Sequence, residues 1–261
     1  VSFAGIMTVI EVGGLVLIIV AGVSQNSAIV TRLPEMWPDA VDSGAWIGIA
    51  GTGLIAVFSF IGFEHLVNIS AEMKNPGRTL PRALFLTLGL TALLYALIVW
   101  IAVTTVSPDE LAQSPAPLAL VFQRLTGLPL ISMSAIAIVA TVNGIIVHMI
   151  MIARVIYGLA EQGNLPKAIA RLNAVTRTPV LATAIGVAAI LVLSLTVPLA
   201  GLADLTARCT LVIFAVVNIA LIKIRSGETT APIGVFLCPR WVPFAGFVST
   251  ALFLWADLIL K

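Results

Sequence analysis

FSFIGFEHLVNISAEMKNPGRTLPR, residues 58–82, begins inside an apolar segment running from about Trp46 to Leu66 and ends in a polar run with two prolines. A segment of about 17–25 apolar residues is long enough to cross a bilayer. This one carries Ser59, Gly62 and an acid, Glu64. A charge at that depth costs about 2.5–3.5 kcal/mol on insertion scales, and a plain anchor has no use for it. The pattern predicts a broken helix whose open backbone holds a solute. Carbonyls freed before such a break bind cations, and N–H groups freed after it bind anions. Glu64 then falls in the first turn of the inner half-helix. Two readings stand for it: capping alone, since a helix N-terminus stabilises an acid, or capping joined to a role in coupling or gating. Beyond it, Pro76 and Pro81 predict a rigid turn into the next span.

The rest of the chain has the same character. Of its 261 residues, 60% are hydrophobic and 10% charged, against about 25% charged in soluble domains. The expected fold is an all-α polytopic membrane protein, a single transmembrane domain over residues 1–261. A net charge of +2 gives no nucleic-acid footprint. Seven spans are predicted, at about 3–23, 46–66, 84–106, 130–152, 179–198, 205–224 and 241–260. The chain opens at Val1, already in an apolar run and without a Met, so residues upstream of it are expected.

Basic and acidic loops alternate. Lys74, Arg78 and Arg82 outweigh Glu72; Arg154, Lys167, Arg171 and Arg177 outweigh Glu161; Lys223, Arg225 and Arg240 outweigh Glu228. Between them, Glu35, Asp39 and Asp42 outweigh Arg32, Asp109 and Glu110 outweigh Arg124, and the short fifth loop holds Asp204. The positive-inside rule then places the Val1 end in the cytoplasm and the Lys261 end outside, in a multi-pass protein of the cell membrane. Cys209 and Cys238 give neither a disulfide framework nor metal-ligand spacing, and no metal or cofactor is expected. His65 and His148 are the only histidines. No nucleophile–base pair is evident, so an enzyme is not expected.

Other spans carry isolated polar groups. Glu11 lies in the first span, somewhat less than halfway in from the cytoplasm, beside Gly13 and Gly14, which allow close helix approach. It reads either as a cation or proton site in the bundle interior or as a carboxylate facing a cytoplasmic vestibule. Asn143 in the fourth span reads as a hydrogen-bond partner of the broken helix or of a ligand, or as an ordinary interhelical bond. It shares a helical face with Val147, Ile150 and Arg154. His148 points about 140° away from Asn143 and reads as a packed residue. Residues 107–127 have helical apolar spacing and predict an external cover that packs on the bundle. Residues 158–179 predict a short amphipathic helix with Leu165, Ile169 and Leu172, or a solvated basic loop. Asp204 and Arg208, like Asp257 and Lys261, are spaced for i,i+4 ion pairs.

Two stretches resemble a known family. One is FSFIGFE, residues 58–64, followed by EMKNPGRTLPRA, residues 72–83. The other is Asn143-Gly144, followed by ARVIYGLAEQGNLPK, residues 153–167, and TRTP, residues 176–179. Together they resemble amino-acid permeases of the amino acid–polyamine–organocation (APC) superfamily. The resemblance implies a fold of two inverted five-helix repeats with transport by alternating access. The first span would be the family's fifth helix. Residues 46–224 would be the second repeat, with a discontinuous helix at residues 46–73, and the last span the eleventh helix. The first repeat would be mostly missing, and with it the broken first helix that holds the substrate carboxylate in the family.

By the same resemblance, the unwound backbone around Ser59, Phe60, Ile61 and Gly62 would hold the substrate α-amino group through its carbonyls. Phe58 would stand where the family often places an aromatic gate. Many proton-coupled relatives have a lysine near the position of Glu11; an acid here makes Glu11 a candidate titrating group. Glu64, Glu11 and Asn143 are thus the candidates for coupling or gating. The implied activity is secondary transport of amino acids, proton-coupled or by exchange. The alternatives are an amine or polyamine permease, or a transport-like sensor subunit on the same fold. The implied partners are a small amino acid or amine, protons and the lipid bilayer.

Overall fold

The computed structural model of the protein describes residues 2–25, 31–32, 34, 37–68, 70, 73–227 and 236–260. Glu35, Glu72, Glu228 and Lys261, which enter the loop charge balance and the motifs above, lie outside these residues. Ten α-helices follow one another among the described residues: α1 Ser2–Gln25, α2 Ser43–Phe60, α3 His65–Asn68, α4 Pro76–Thr105, α5 Pro108–Gln113, α6 Pro117–Thr126, α7 Ile131–Glu161, α8 Val180–Thr196, α9 Leu199–Gly227 and α10 Val242–Leu260. Six helical stretches are long and apolar enough to cross a membrane. The predicted fifth span is the exception, since α8 has only 17 residues. Many large apolar side chains on these helices are exposed, among them Ile6, Val9, Leu86, Ile145, Ile213 and Leu258. Such a surface suits lipid, and the protein is a multi-pass membrane protein.

The chain forms two compact units, Val1–Trp37 with Leu90–Ala189, and Pro38–Gly89 with Ile190–Lys261. In the first, α1 packs on α7 and α6. Its core gathers Ile18, Trp100, Ile101, Val121, Phe122 and Met133. The predicted packing of residues 107–127 is present, as two short helices. Ser107 caps α5 by accepting from the Glu110 N–H, and proline opens both helices. Gly127, at φ 72°, ends α6 in the left-handed conformation that a β-carbon disfavours. Ala119, Val121 and Phe122 are the buried side of α6. Of the two readings of residues 158–179 the loop is the one found: after α7 ends at Glu161 the stretch holds a single 3-10 turn, Lys167–Ala170, and not an amphipathic helix. Pro166 and Pro179 bound the stretch, and the Asn173 side chain accepts from the N–H groups of Val175 and Thr176, which favours turns over helix.

In the second unit α2, α9 and α10 pack together around Leu54, Ala207 and Leu211. Close approach depends on small residues, as in membrane helix pairs generally. A β-carbon on Gly53 would stand 2.9 Å from the Phe253 ring. Arg208 on α9 reaches across to Asp257 on α10, Nε to Oδ2, at 2.7 Å. That pair links two helices, where the sequence suggested bonds along each helix; Lys261, the partner expected for Asp257, lies outside the described residues. Pro76 starts α4 at its first position, where its missing N–H is harmless, and Asn75 enters it at φ 53°.

Candidate functional site

The break in the second span begins with α2. Asp42 caps it, accepting from the Ala45 N–H at 3.0 Å. The helix then runs through Ser59 and Phe60, so these two are helical and not unwound as expected; the hydroxyl of Ser59 donates to Ile55 O at 3.1 Å. The unwinding starts at Ile61, whose ψ is 137°, and at Gly62, whose φ is 129°. Only glycine adopts the latter readily, which is why the helix yields there rather than at Ser59. The N–H groups of Ile61, His65, Leu66 and Val67 all donate to carbonyls three residues back. His65 N–H goes to Gly62 O at 3.1 Å, so the Ile61 carbonyl loses the partner a continuous helix would give it.

Glu64 sits at the end of this turn, half-buried, and its Oε2 accepts from the Gly62 N–H at 2.8 Å. The capping role is therefore real in a specific sense: the carboxylate satisfies a backbone donor that the break itself exposes.

Beside the break lies a cavity of about 620 Å³ within the second unit. Trp46, Phe60, Ile61, Phe63, Phe214 and Phe253 contribute to its wall. The Phe63 and Phe214 rings meet at a centroid distance of 5.8 Å. The five residues expected to bind a solute thus divide. Phe60 and Ile61 line the cavity. Phe58, 38% exposed, and Ser59 lie on α2 outside that lining, and Gly62 supplies the bend. Phe214 and Phe253 were not singled out from the sequence; single aromatics in apolar spans carry no signal of their own.

The other two candidate residues meet in the first unit. A β-carbon on Gly14 would stand 2.9 Å from Ile136 of α7, so the glycine lets the α1 and α7 backbones come close. Asn143 of α7 then donates from Nδ2 to Glu11 Oε1 of α1 at 2.8 Å. Of the two readings of Asn143, this contact is the interhelical bond; which helix it would reach is something neither residue's surroundings in sequence reveal. Asn143 is only 7% exposed, and its Oδ1 is buried with no hydrogen-bond partner among the described residues. Glu11 also borders a cavity of about 760 Å³ with Leu15, Leu118, Met133, Ser134 and Thr141. His148 is exposed rather than packed, with Nδ1 2.7 Å from Gly144 O.

An interrupted apolar span with a capped turn, and a second helix pair joined by a half-buried acid–amide contact, thus stand in a polytopic membrane protein. Residues 1–258 match the amino acid permease family, and the chain belongs to that family. Among individual proteins, it is 28% identical to Cationic amino acid transporter 1 of Arabidopsis thaliana, over 97% of this chain and 42% of the relative. It is 26% identical to the branched-chain amino acid permease BcaP of Lactococcus lactis, over 82% of this chain and 46% of the relative. An uncharacterized transporter of Mycobacterium tuberculosis is also 26% identical, over 82% of this chain and 48% of its own length. The chain spans about half the length of the curated relatives it matches.

Proposed function

We propose that the protein takes part in secondary transport of amino acids across a membrane by alternating access, coupled to protons or by exchange. The observation that carries this reading is the break at Ile61–Glu64, opening beside a cavity in the same unit. The backbone around Ile61 and Gly62 serves the substrate, with the displaced Ile61 carbonyl as an acceptor for an ammonium group, Ser59 and Phe60 leading into it on α2 and Phe58 as an aromatic gate. Glu64, Glu11 and Asn143 serve coupling or gating. In this reading residues 46–224 are the second of two inverted repeats, the Val1 end is cytoplasmic and the Lys261 end extracytoplasmic.

The names of the relatives divide between cationic and branched-chain amino acids. The cavity favours the second class: no ionisable side chain is among the described residues that line it. An amine or polyamine finds no counter-charge there, and burying an unpaired charge is costly. The test is uptake of labelled leucine, phenylalanine, lysine and putrescine into proteoliposomes holding the protein. Saturable uptake of the apolar amino acids, poorly competed by lysine, is the expected result. Absence of saturable uptake of any amino acid or amine overturns the transport reading.

A further inference from the structure

We propose that Glu11 and Asn143 form a proton-binding pair, a carboxyl–amide latch between α1 and α7 that gains its second hydrogen bond only when Glu11 takes up a proton. An asparagine amide offers a donor and an acceptor side by side in one plane. Here the donor is used, Nδ2 to Glu11 Oε1 at 2.8 Å, and the acceptor Oδ1 is buried without a partner. Buried acceptors in folded proteins nearly always have a donor, so an orphan calls for an explanation. Among the described residues the side chain already against the amide is Glu11, and it can supply the missing donor. An ionised carboxylate cannot supply it, because it only accepts. A protonated carboxyl can: it presents one acceptor and one O–H donor, which match the amide's donor and acceptor and close a ring of two hydrogen bonds. The proton goes onto a carboxylate oxygen of Glu11 and no covalent bond in either side chain is broken.

The surroundings leave Glu11 as the group that responds. It is the one ionisable side chain among the described residues lining the cavity it borders. Of the elements packed on α1, α6 carries Arg124, which is paired with Glu110 of α5 at 3.2 Å. Helix α7 carries His148, whose Nδ1 lies against Gly144 O, together with Arg154, Tyr157 and Glu161. Helix α4, which meets Gly22 of α1 through Ile101, carries Arg78, Arg82 and Tyr95. None of these lines the cavity with Glu11. The hydroxyl of Thr141, which does, donates to Ala137 O of its own helix at 2.8 Å. As a coupling element the latch rests on the transport reading above: proton uptake fastens α1 to α7 by two bonds, and proton loss leaves one bond and sets Oδ1 against a charged acceptor. The proton binding itself does not depend on transport.

The test is an infrared difference titration of the protein in lipid nanodiscs between about pH 4 and 9. A protonated-carboxyl carbonyl band growing as the pH falls, and lost in Glu11→Gln, is expected. In Asn143→Val that band moves to the higher frequency of an acid whose carbonyl and hydroxyl are unbonded. A second measurement on the wild type stands whether or not Asn143→Val folds. With isotope-labelled asparagine side chains, an amide carbonyl band shifts to lower frequency in step with the carboxyl band, and this shift is absent in Glu11→Gln. No Glu11-dependent band, or a Glu11 band with no linked amide shift, overturns the latch. Uptake that persists without the band removes the latch and leaves transport. A Glu11 band with its amide shift, in a protein that takes up no amino acid or amine, leaves the latch and removes transport.

Discussion

Glu64 accepts from the N–H of Gly62, two residues away in its own turn, whereas Glu11 accepts from the side chain of Asn143, 132 residues away on another helix. Glu64 lies in the turn between α2 and α3 and Glu11 within α1, and both are half-buried. The first belongs to the backbone of a single turn and keeps its partner however α2 is packed. The second keeps its partner only while α1 and α7 are close. One acid therefore maintains a bend, and the other reports the separation of two helices.

The comparison can be broken at either end. The largest effect is expected for Gly62→Val. A β-branched residue at φ 129° is strained, at a cost of about 1–3 kcal/mol, so a lowered melting temperature in nanodiscs and loss of uptake should follow; wild-type stability would mean that the turn does not need this conformation. Next is Gly14→Leu, which drives a side chain into Ile136 and should cost roughly 1–2 kcal/mol by overpacking. It should also abolish the Glu11 infrared band shift seen with Asn143, because the helices no longer meet; an unchanged amide–carboxyl linkage would show that Gly14 does not set their distance.

Glu64→Gln keeps an oxygen for the Gly62 N–H and removes only the charge. Its stability should fall by less than about 1 kcal/mol, while the pH dependence of uptake flattens. Uptake that follows pH as in the wild type would leave Glu64 with the cap alone. The smallest effect on the fold is expected for Phe58→Ala, within about 0.5 kcal/mol given its exposure. Faster loss of preloaded substrate from the binding site is the expected signature of a missing gate, and unchanged retention would remove that role.

The bend was legible because its causes are local. Gly62 and Glu64 stand two residues apart, and an acid beside a glycine in an apolar span announces a capped interruption before any tertiary contact is known. Its start was misplaced by two residues because Ser59 and Phe60 can continue a helix, and the hydroxyl of Ser59 bonds back within it. The Glu11–Asn143 contact was not legible. Helical phase says which face each residue occupies, but not which helix that face meets. The same limit applies to Arg208 and Asp257, whose contact across two helices no i,i+4 spacing announces. Between the two readings of residues 158–179 the sequence did not choose; a few apolar residues at helical spacing were outweighed by prolines and by the side-chain bonds of Asn173, and the loop prevailed.

Gly53 lines the cavity beside the break and touches the ring of Phe253, leaving no room for even one more carbon at 2.9 Å. A methyl group at position 53 would have to push the Phe253 ring aside, so the place of that ring in the chamber wall is set by the absence of a single carbon on the facing helix.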